Sequence, residues 1–300
     1  MGKIVVVGSI NMDYTAILAE LPRPGETLLA KEFKMSGGGK GANQAMAAAI
    51  FSDQVIMIGM LGNDPAGHDL YKKMQSKGID VSCIEFTETP TGTALINVAD
   101  QGKNTIVVFP GANHQLTPAH VKKYKNVIEA ADMVMMQLEI PMDTVRFVTD
   151  MAYAANVPIF LNPAPAQALD ADLLSKVAYI TPNETELLRI TQSFDSTRGA
   201  VSLMNLGVKN VIVTLGSKGC YVKNANEDGR IGSFKVKAID TTAAGDSFSG
   251  ALAAQLANGL PLKEALIFAN ATGALTTTKI GAQEALPTKE EVLELIKQGQ

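Results

Sequence analysis

Residues 133–161 read MVMMQLEIPMDTVRFVTDMAYAANVPIFL, and this stretch decides the fold. Residues 133–137 begin as an unbroken apolar run, the pattern of a strand buried on both faces. Residues 142–156 carry apolar side chains at helical spacing, and 158–161 form a second short apolar run. Strand, helix, strand in succession implies parallel strands joined by a crossover helix. The alternation continues outward. Helix 118–131 precedes the stretch. Strand 179–181, helices 184–190 and 197–206, strand 211–214 and a partner strand 220–223 follow it. Helices 244–258, 262–278 and 288–298 close the chain. The expected fold class is α/β, a doubly wound, mostly parallel sheet flanked by helices.

The first third is mixed. Ile4–Val7, ending at Gly8, and Val55–Ile58 read as buried strands, and Ala66–Lys77 as a helix. A turn at Pro22, Pro24 and Gly25 leads into a loosely alternating segment, Thr27–Met35. Residues 93–99 and 104–109 read as two strands joined through Asp100-Gln101-Gly102, a hairpin signal. This hairpin material does not fit a parallel sheet. It implies a small β-sheet lid, inserted from about 11–36 and 91–109, on a single domain spanning 1–300.

Composition limits the function. The chain has 300 residues, a net charge of −4, 46% hydrophobic residues and no Trp. The core is therefore aliphatic and Ala-rich. No basic footprint points to nucleic acid. No apolar run approaches the length of a membrane span. Cys83 and Cys220 stand in no metal or redox spacing, which implies two reduced, buried thiols in a cytoplasmic protein. His68, His114 and His120 are scattered and read as surface or capping residues.

The chemistry concentrates in loops that follow strands, where α/β sheets bind ligands. Ile239-Asp240-Thr241-Thr242-Ala243-Ala244-Gly245-Asp246 delivers one carboxylate onto the start of an Ala-rich helix. Unpaired N–H groups at a helix start attract anions, and the small residues let a phosphate approach. Asp246 beside such a site is poised to take a proton from an attacking hydroxyl. The alternative is an N-capping Asp on an ordinary helix. Gly37-Gly38-Gly39-Lys40-Gly41-Ala42-Asn43 opens a helix over Gln44–Ile50. It is not a P-loop, because Gly41 follows Lys40 where Ser or Thr is needed. Its backbone, Lys40 and Asn43 suit the hydroxyls of a small polar ligand. Asn11-Met12-Asp13 adds polar groups beyond the first strand. In Thr181-Pro182-Asn183-Glu184-Thr185-Glu186, Asn183 and Glu186 have capping-box spacing and equally suit the water shell of a magnesium ion. Thr214-Leu215-Gly216-Ser217-Lys218-Gly219 reads either as a plain turn or as a loop for phosphate or ribose oxygens.

Together, and in this order, these motifs resemble the ribokinase-like carbohydrate kinase family. Gln137-Leu138-Glu139, Asn162-Pro163-Ala164-Pro165-Ala166 and Gly281-Ala282-Gln283 add to the likeness, which covers nearly the whole chain. The resemblance implies ATP-dependent phosphorylation of a sugar hydroxyl, O5 in the case of ribose, by an enzyme that is usually dimeric through its lid. By similarity Asp246 is the general base, and the backbone of Ala243, Ala244, Gly245 and Asp246 is the anion hole. Asn11, Met12, Asp13, Gly39, Lys40, Gly41, Ala42, Asn43 and Glu139 form the sugar site. Asn183, Glu186, Thr214, Leu215, Gly216, Ser217, Lys218, Gly219, Gly245 and Asn270 form the ATP site, with Mg2+. A potassium ion is implied at Asp240, Thr242, Thr276, Lys279 and Gly281, mostly through carbonyls. Ala285 stands where the resemblance calls for Ser near that ion, and Asn270 where some relatives carry His. Three rival readings stand beside this one. They are a kinase of the same fold for another small sugar or nucleoside such as deoxyribose, a dinucleotide-dependent oxidoreductase using Gly37–Ala42, and a non-catalytic sugar sensor.

Overall fold

The computed structural model describes residues 1–100 and 103–299. Within the Asp100-Gln101-Gly102 turn, Gln101 and Gly102 lie outside the described residues. Thirteen strands among the described residues build two sheets: β1 (Ile4–Val7), β2 (Asn11–Leu18), β3 (Glu32–Gly38), β4 (Val55–Gly62), β5 (Asp80–Thr87), β6 (Gly92–Ala99), β7 (Asn104–Phe109), β8 (Met133–Met136), β9 (Ile159–Leu161), β10 (Tyr179–Ile180), β11 (Asn210–Thr214), β12 (Cys220–Lys223) and β13 (Asp228–Ile231). The helices are α1 (Lys40–Ala48), α2 (Pro65–Ser76), α3 (Pro118–Lys122), α4 (Lys125–Glu129), α5 (Met142–Ala154), α6 (Ala171–Ser175), α7 (Glu184–Thr191), α8 (Ser196–Asn205), α9 (Ala244–Ala257), α10 (Leu262–Thr276) and α11 (Lys289–Gly299).

The large sheet runs β13-β12-β11-β10-β9-β8-β1-β4-β5. From β11 to β5 all neighbours are parallel, while β12 and β13 close one edge antiparallel. β1 shows how two cores arise from four residues. Its side chains alternate between faces. Ile4 and Val6 join a core with residues of α1, α9, α10 and α11, whereas Val5 and Val7 join one with residues of α5, α6, α7 and α8. The strand order reverses at β1, so the carboxyl end of β1 opens at the switch point where such sheets bind ligands.

The small sheet runs β3-β2-β6-β7. β2 pairs antiparallel with β3 and parallel with β6, in the register Asn11↔Gly38 and Asn11↔Gly92. Every passage of chain between the sheets lies at that end. Asn113, in a 3-10 turn after β7, pins it. Asn113 Oδ1 accepts from Ile10 N at 2.8 Å, and Asn113 Nδ2 donates to Asn11 Oδ1 at 2.7 Å.

Several expected boundaries move. The strand expected over Thr27–Met35 is Glu32–Gly38, and residues 27–31 are irregular and exposed. The helix expected from Gln44 starts at Lys40, because Gly39 takes φ +84° and Glu139 Oε2 accepts from Lys40 N at 3.0 Å. Helix 118–131 is two short helices broken at Lys123–Tyr124, where Lys123 Nζ and Tyr124 Oη both reach Glu85. β5 and β13 were absent from the sequence reading. Both are edge strands with polar or mixed residues, so neither carries a continuous apolar run. Cys83 and Cys220 are free and buried, as expected. His120 completes a capping box with Thr117, and His68 stacks on Phe86.

Candidate functional site

α9 starts abruptly. Ala243 takes the left-handed conformation at φ 56° and serves as N-cap without a side-chain bond. The N–H groups of Gly245 and Asp246 have no acceptor among the described residues. A Cβ on Gly245 would meet nothing within 4 Å, so that N–H edge faces open space. This is an anion site by geometry.

Asp246 itself is buried. Both carboxylate oxygens accept from α1: Asn43 Nδ2 donates to Oδ2 and Gln44 Nε2 to Oδ1, each at 3.0 Å. Further amides back these two. Gln283 Nε2 donates to Asn43 Oδ1 at 3.2 Å, and Gln137 Nε2 to Gln44 Oε1 at 2.7 Å. Gln44 Nε2 also reaches Asn162 Oδ1, and Asn162 Nδ2 ends on the Thr181 carbonyl.

A cluster of polar side chains adjoins Asp246 through Asn43. Asn11 and Asp13 lie on one face of β2, and Asp13 packs over Gly38, where a Cβ would meet its carboxylate at 2.2 Å. Burial first, then the charges of Glu139, Glu284 and Asp246, push the Asp13 carboxyl up to about 7, against the opposing effect of Lys40. Glu139 Oε2 accepts from Ser9 Oγ at 2.6 Å and from Lys40 N. Four of the expected sugar residues also serve the framework. The Met12 side chain is in the core, as period-two alternation places it opposite Asn11 and Asp13. Ala42 is core too. Gly41 lets α1 approach β1, since a Cβ there would lie 2.6 Å from Ser9 N. Gly39 packs equally close to Asn11 N.

Two cavities meet at Gly245. One, of about 210 Å³, is lined by Lys40, Asn162, Asn183, Glu186, Thr214, Ala243, Gly245 and Asp246 among others. The other, of about 750 Å³, includes Asn183, Thr214, Gly216, Ser217, Gly219, Phe234, Gly245, Phe248, Asn270 and Gly273. Leu215 is a core residue and Lys218 is not in either lining. Asn183 and Glu186 do form a reciprocal capping box on α7, and they line the smaller cavity as well. Burial raises the Glu186 carboxyl above its ordinary value. Lys40 is raised too, chiefly by Asp246, although burial opposes the shift. Its ammonium makes no ion pair within 4.0 Å among the described residues. It stands between the polar cluster and the smaller cavity rather than wholly with the hydroxyl-binding groups.

The expected cation residues gather only in part. Asp240 Oδ1 accepts from Thr242 N and Oγ1, and Oδ2 from Gly281 N at 2.9 Å, which ties two loops together. Thr276 Oγ1 is spent on the Thr272 carbonyl, and Lys279 turns to Glu291 on α11. The Asp240 side chain thus fixes the two loops, while the Thr276 carbonyl accepts from Lys279 N at 3.5 Å. Among the described residues no three His, Cys, Asp or Glu side chains cluster as a metal cage.

Sequence reading missed the roles of Gln44, Gln137, Gln283 and Asn113. Their signal was a polar residue inside an apolar stretch, such as Gln44 among alanines or Gln137 directly after Met133–Met136. The pfkB family carbohydrate kinase profile matches residues 1–289. A ribokinase of Staphylococcus aureus is 40% identical over 97% of this chain and 98% of its own length. A deoxyribokinase of Salmonella typhimurium is 33% identical over 98% of both. The structure of a ribokinase from Thermotoga maritima has a TM-score of 0.92 at 37% identity, covering 99% of this chain and 100% of its own. The structure of Arabidopsis thaliana ribokinase complexed with ribose and ATP has a TM-score of 0.92 at 31% identity, covering 99% of both. A helix-start anion site with one carboxylate and a whole-chain match agree: this chain belongs to the pfkB family of carbohydrate kinases, enzymes that move a phosphoryl group onto a sugar hydroxyl.

Proposed function

We propose that this kinase phosphorylates D-ribose at O5 with ATP, giving ribose 5-phosphate and ADP. The observation that carries the reading is Asp246, which bonds to Asn43 and lines the smaller of the two cavities that meet at Gly245. Asp246 accepts the O5 proton as the oxygen attacks the γ-phosphorus. The bond to the ADP oxygen breaks, and the N–H groups of Gly245 and Asp246 receive the charge on the transferring group. Lys40 neutralises the same charge from the other side. The larger cavity holds the nucleoside, with Asn270 and Phe248 along its wall. Magnesium enters with the phosphates and supplies charge neutralisation there; we assign Asn183 and Glu186 to its water shell. Potassium is assigned to the carbonyls of the 240–242 and 276–281 loops, which Asp240 ties together.

Asn11 and Asp13 favour ribose over 2-deoxyribose. A buried polar group left unpaired costs ~1–3 kcal/mol, which corresponds to roughly ten- to a hundredfold in kcat/KM. The test is kcat/KM for ribose, 2-deoxyribose, fructose and a nucleoside at fixed ATP, with potassium, sodium or a bulky organic cation. Ribose leads, and potassium activates more than sodium. A higher value for any other acceptor moves the chain to that substrate, and equal rates in all three salts remove the potassium assignment.

We further assign a homodimer through the outer face of the small sheet, on which Phe33, Met35, Leu95, Val107 and Phe109 are exposed. A cytoplasmic location fits the two free, buried thiols. No helix among the described residues is long and apolar enough to cross a membrane.

A further inference from the structure

We propose that Gln44 is a positioning residue for Asp246 in phosphoryl transfer, and that Gln137 decides which end of the Gln44 amide faces the carboxylate. The inference rests on the reading of Asp246 as the base. An amide has one donating and one accepting end, and only the N–H end attracts a carboxylate. The Gln44 side chain is fully buried, so no water decides its orientation. Gln137, also fully buried, donates to Gln44 Oε1 at 2.7 Å. That leaves Gln44 Nε2 to reach Asp246 Oδ1 at 3.0 Å and Asn162 Oδ1 at 3.1 Å.

This polarity has a visible cost. Gln137 Oε1 is buried with no hydrogen-bond partner among the described residues. It lies against Gly8, where a Cβ would meet it at 2.2 Å. Turning both amides over would pair that oxygen with Gln44 Nε2, but would put Gln137 Nε2 in its place against Gly8 and aim the Gln44 carbonyl at Asp246. The protein keeps the orphan and preserves the donor at the base.

Asn43 and Gln44 are adjacent on α1 and hold one oxygen each. Two donors on two oxygens fix the plane of the carboxylate, so its free lone pairs point in set directions toward the attacking hydroxyl. The neutral amides do this work, because the neighbouring cation, Lys40, makes no ion pair with Asp246 within 4.0 Å among the described residues.

The experiment is steady-state kinetics on the full chain with ribose and ATP, using Gln44→Met, Gln137→Met, Gln137→Glu, the double Met variant and Asp246→Asn. Gln44→Met keeps length and removes the donor. It lowers kcat by ~10- to 100-fold while KM for both substrates stays within about threefold. Gln137→Met frees the Gln44 amide and lowers kcat less. Gln137→Glu, followed through the alkaline range so that its buried carboxyl ionises, can then only accept, so it draws the Gln44 N–H away from Asp246 and matches the loss in Gln44→Met. The double variant equals Gln44→Met alone, because Gln137 acts through Gln44. A folded Gln44→Met with kcat within threefold of wild type, a loss confined to KM, or multiplicative effects in the double variant overturns the proposal. Should Gln44→Met not fold, the Gln137 pair decides: equal kcat in its Met and Glu variants overturns it. Asp246→Asn separates the two readings. If it retains turnover, the base assignment itself fails. If it is inactive while Gln44→Met is normal, only the positioning role fails.

Discussion

Asp13 is a half-buried carboxyl crowded by other carboxylates. Its carboxyl is pushed up to about 7 by burial, then by Glu139, Glu284 and Asp246. The folded chain therefore keeps a proton that the unfolded chain has already released. The resulting stabilisation is complete below the ordinary Asp value of 3.8 and is lost as pH rises through about 7. Asp13→Asn is neutral throughout and lacks this dependence. The Tm of the unliganded wild type should fall relative to that of Asp13→Asn between pH 4 and pH 8. A constant difference across that range contradicts the assignment. At this scale the sequence was readable where a residue type is chemically conspicuous. Asp246, Asn43 and Glu139 stand out beside glycines and alanines. Gln44 and Asn113 did not, because their importance lies in which amide end is taken by a neighbour remote in sequence, such as Gln137 or Ile10.

Among the elements, α1 and α9 matter together, since they carry the donors and the acceptor of the same hydrogen bonds. They touch at Gly250, where a Cβ would meet Gln44 O at 2.4 Å and Ala47 Cβ at 2.7 Å. Gly250→Ala forces the helices apart, and overpacking of this kind costs ~1–3 kcal/mol. The expected result is a Tm lowered by a few degrees together with a reduced kcat, because the displaced helix carries Asn43 and Gln44. An unchanged Tm would show that the contact yields freely. Helices with long apolar periods, such as α5, α9 and α10, were legible because their burial pattern repeats along the chain. The start of α1 was not. Three glycines precede it, and what begins the helix at Lys40 is Glu139, a residue on the far side of the sheet's first crossover. β5 and β13 escaped for a different reason: each is stabilised on one side only, so polar residues are tolerated.

For the whole molecule, the doubly wound sheet followed from alternation, and the small sheet from material that the parallel pattern could not absorb. The pairing of β2 with β6 was not readable, because it joins segments remote in sequence and depends on Asn113. β7 is exposed at every residue although four of its six are apolar or aromatic, an edge that invites a partner. If two copies pair through the face that carries Val107, Val107→Lys should give monomers in sedimentation at micromolar concentration with an unchanged far-UV circular dichroism spectrum. A dimer that survives would place the interface elsewhere. The two-faced burial of β1 also bears on how the protein comes into being. Synthesis delivers Ile4–Val7 before β4 and β8, and long before Asn258, which accepts a bond from Gly2 N at 2.8 Å. A ribosome-bound chain thus carries a bare, sticky ribbon that it cannot yet bury, and vectorial folding cannot finish from the front. Nascent chains arrested before Asn258 should remain sensitive to protease, whereas released full-length chains resist it; early resistance would mean that β1 finds a temporary home. Chaperone demand in this enzyme is thereby set by its first strand, long before any substrate is met.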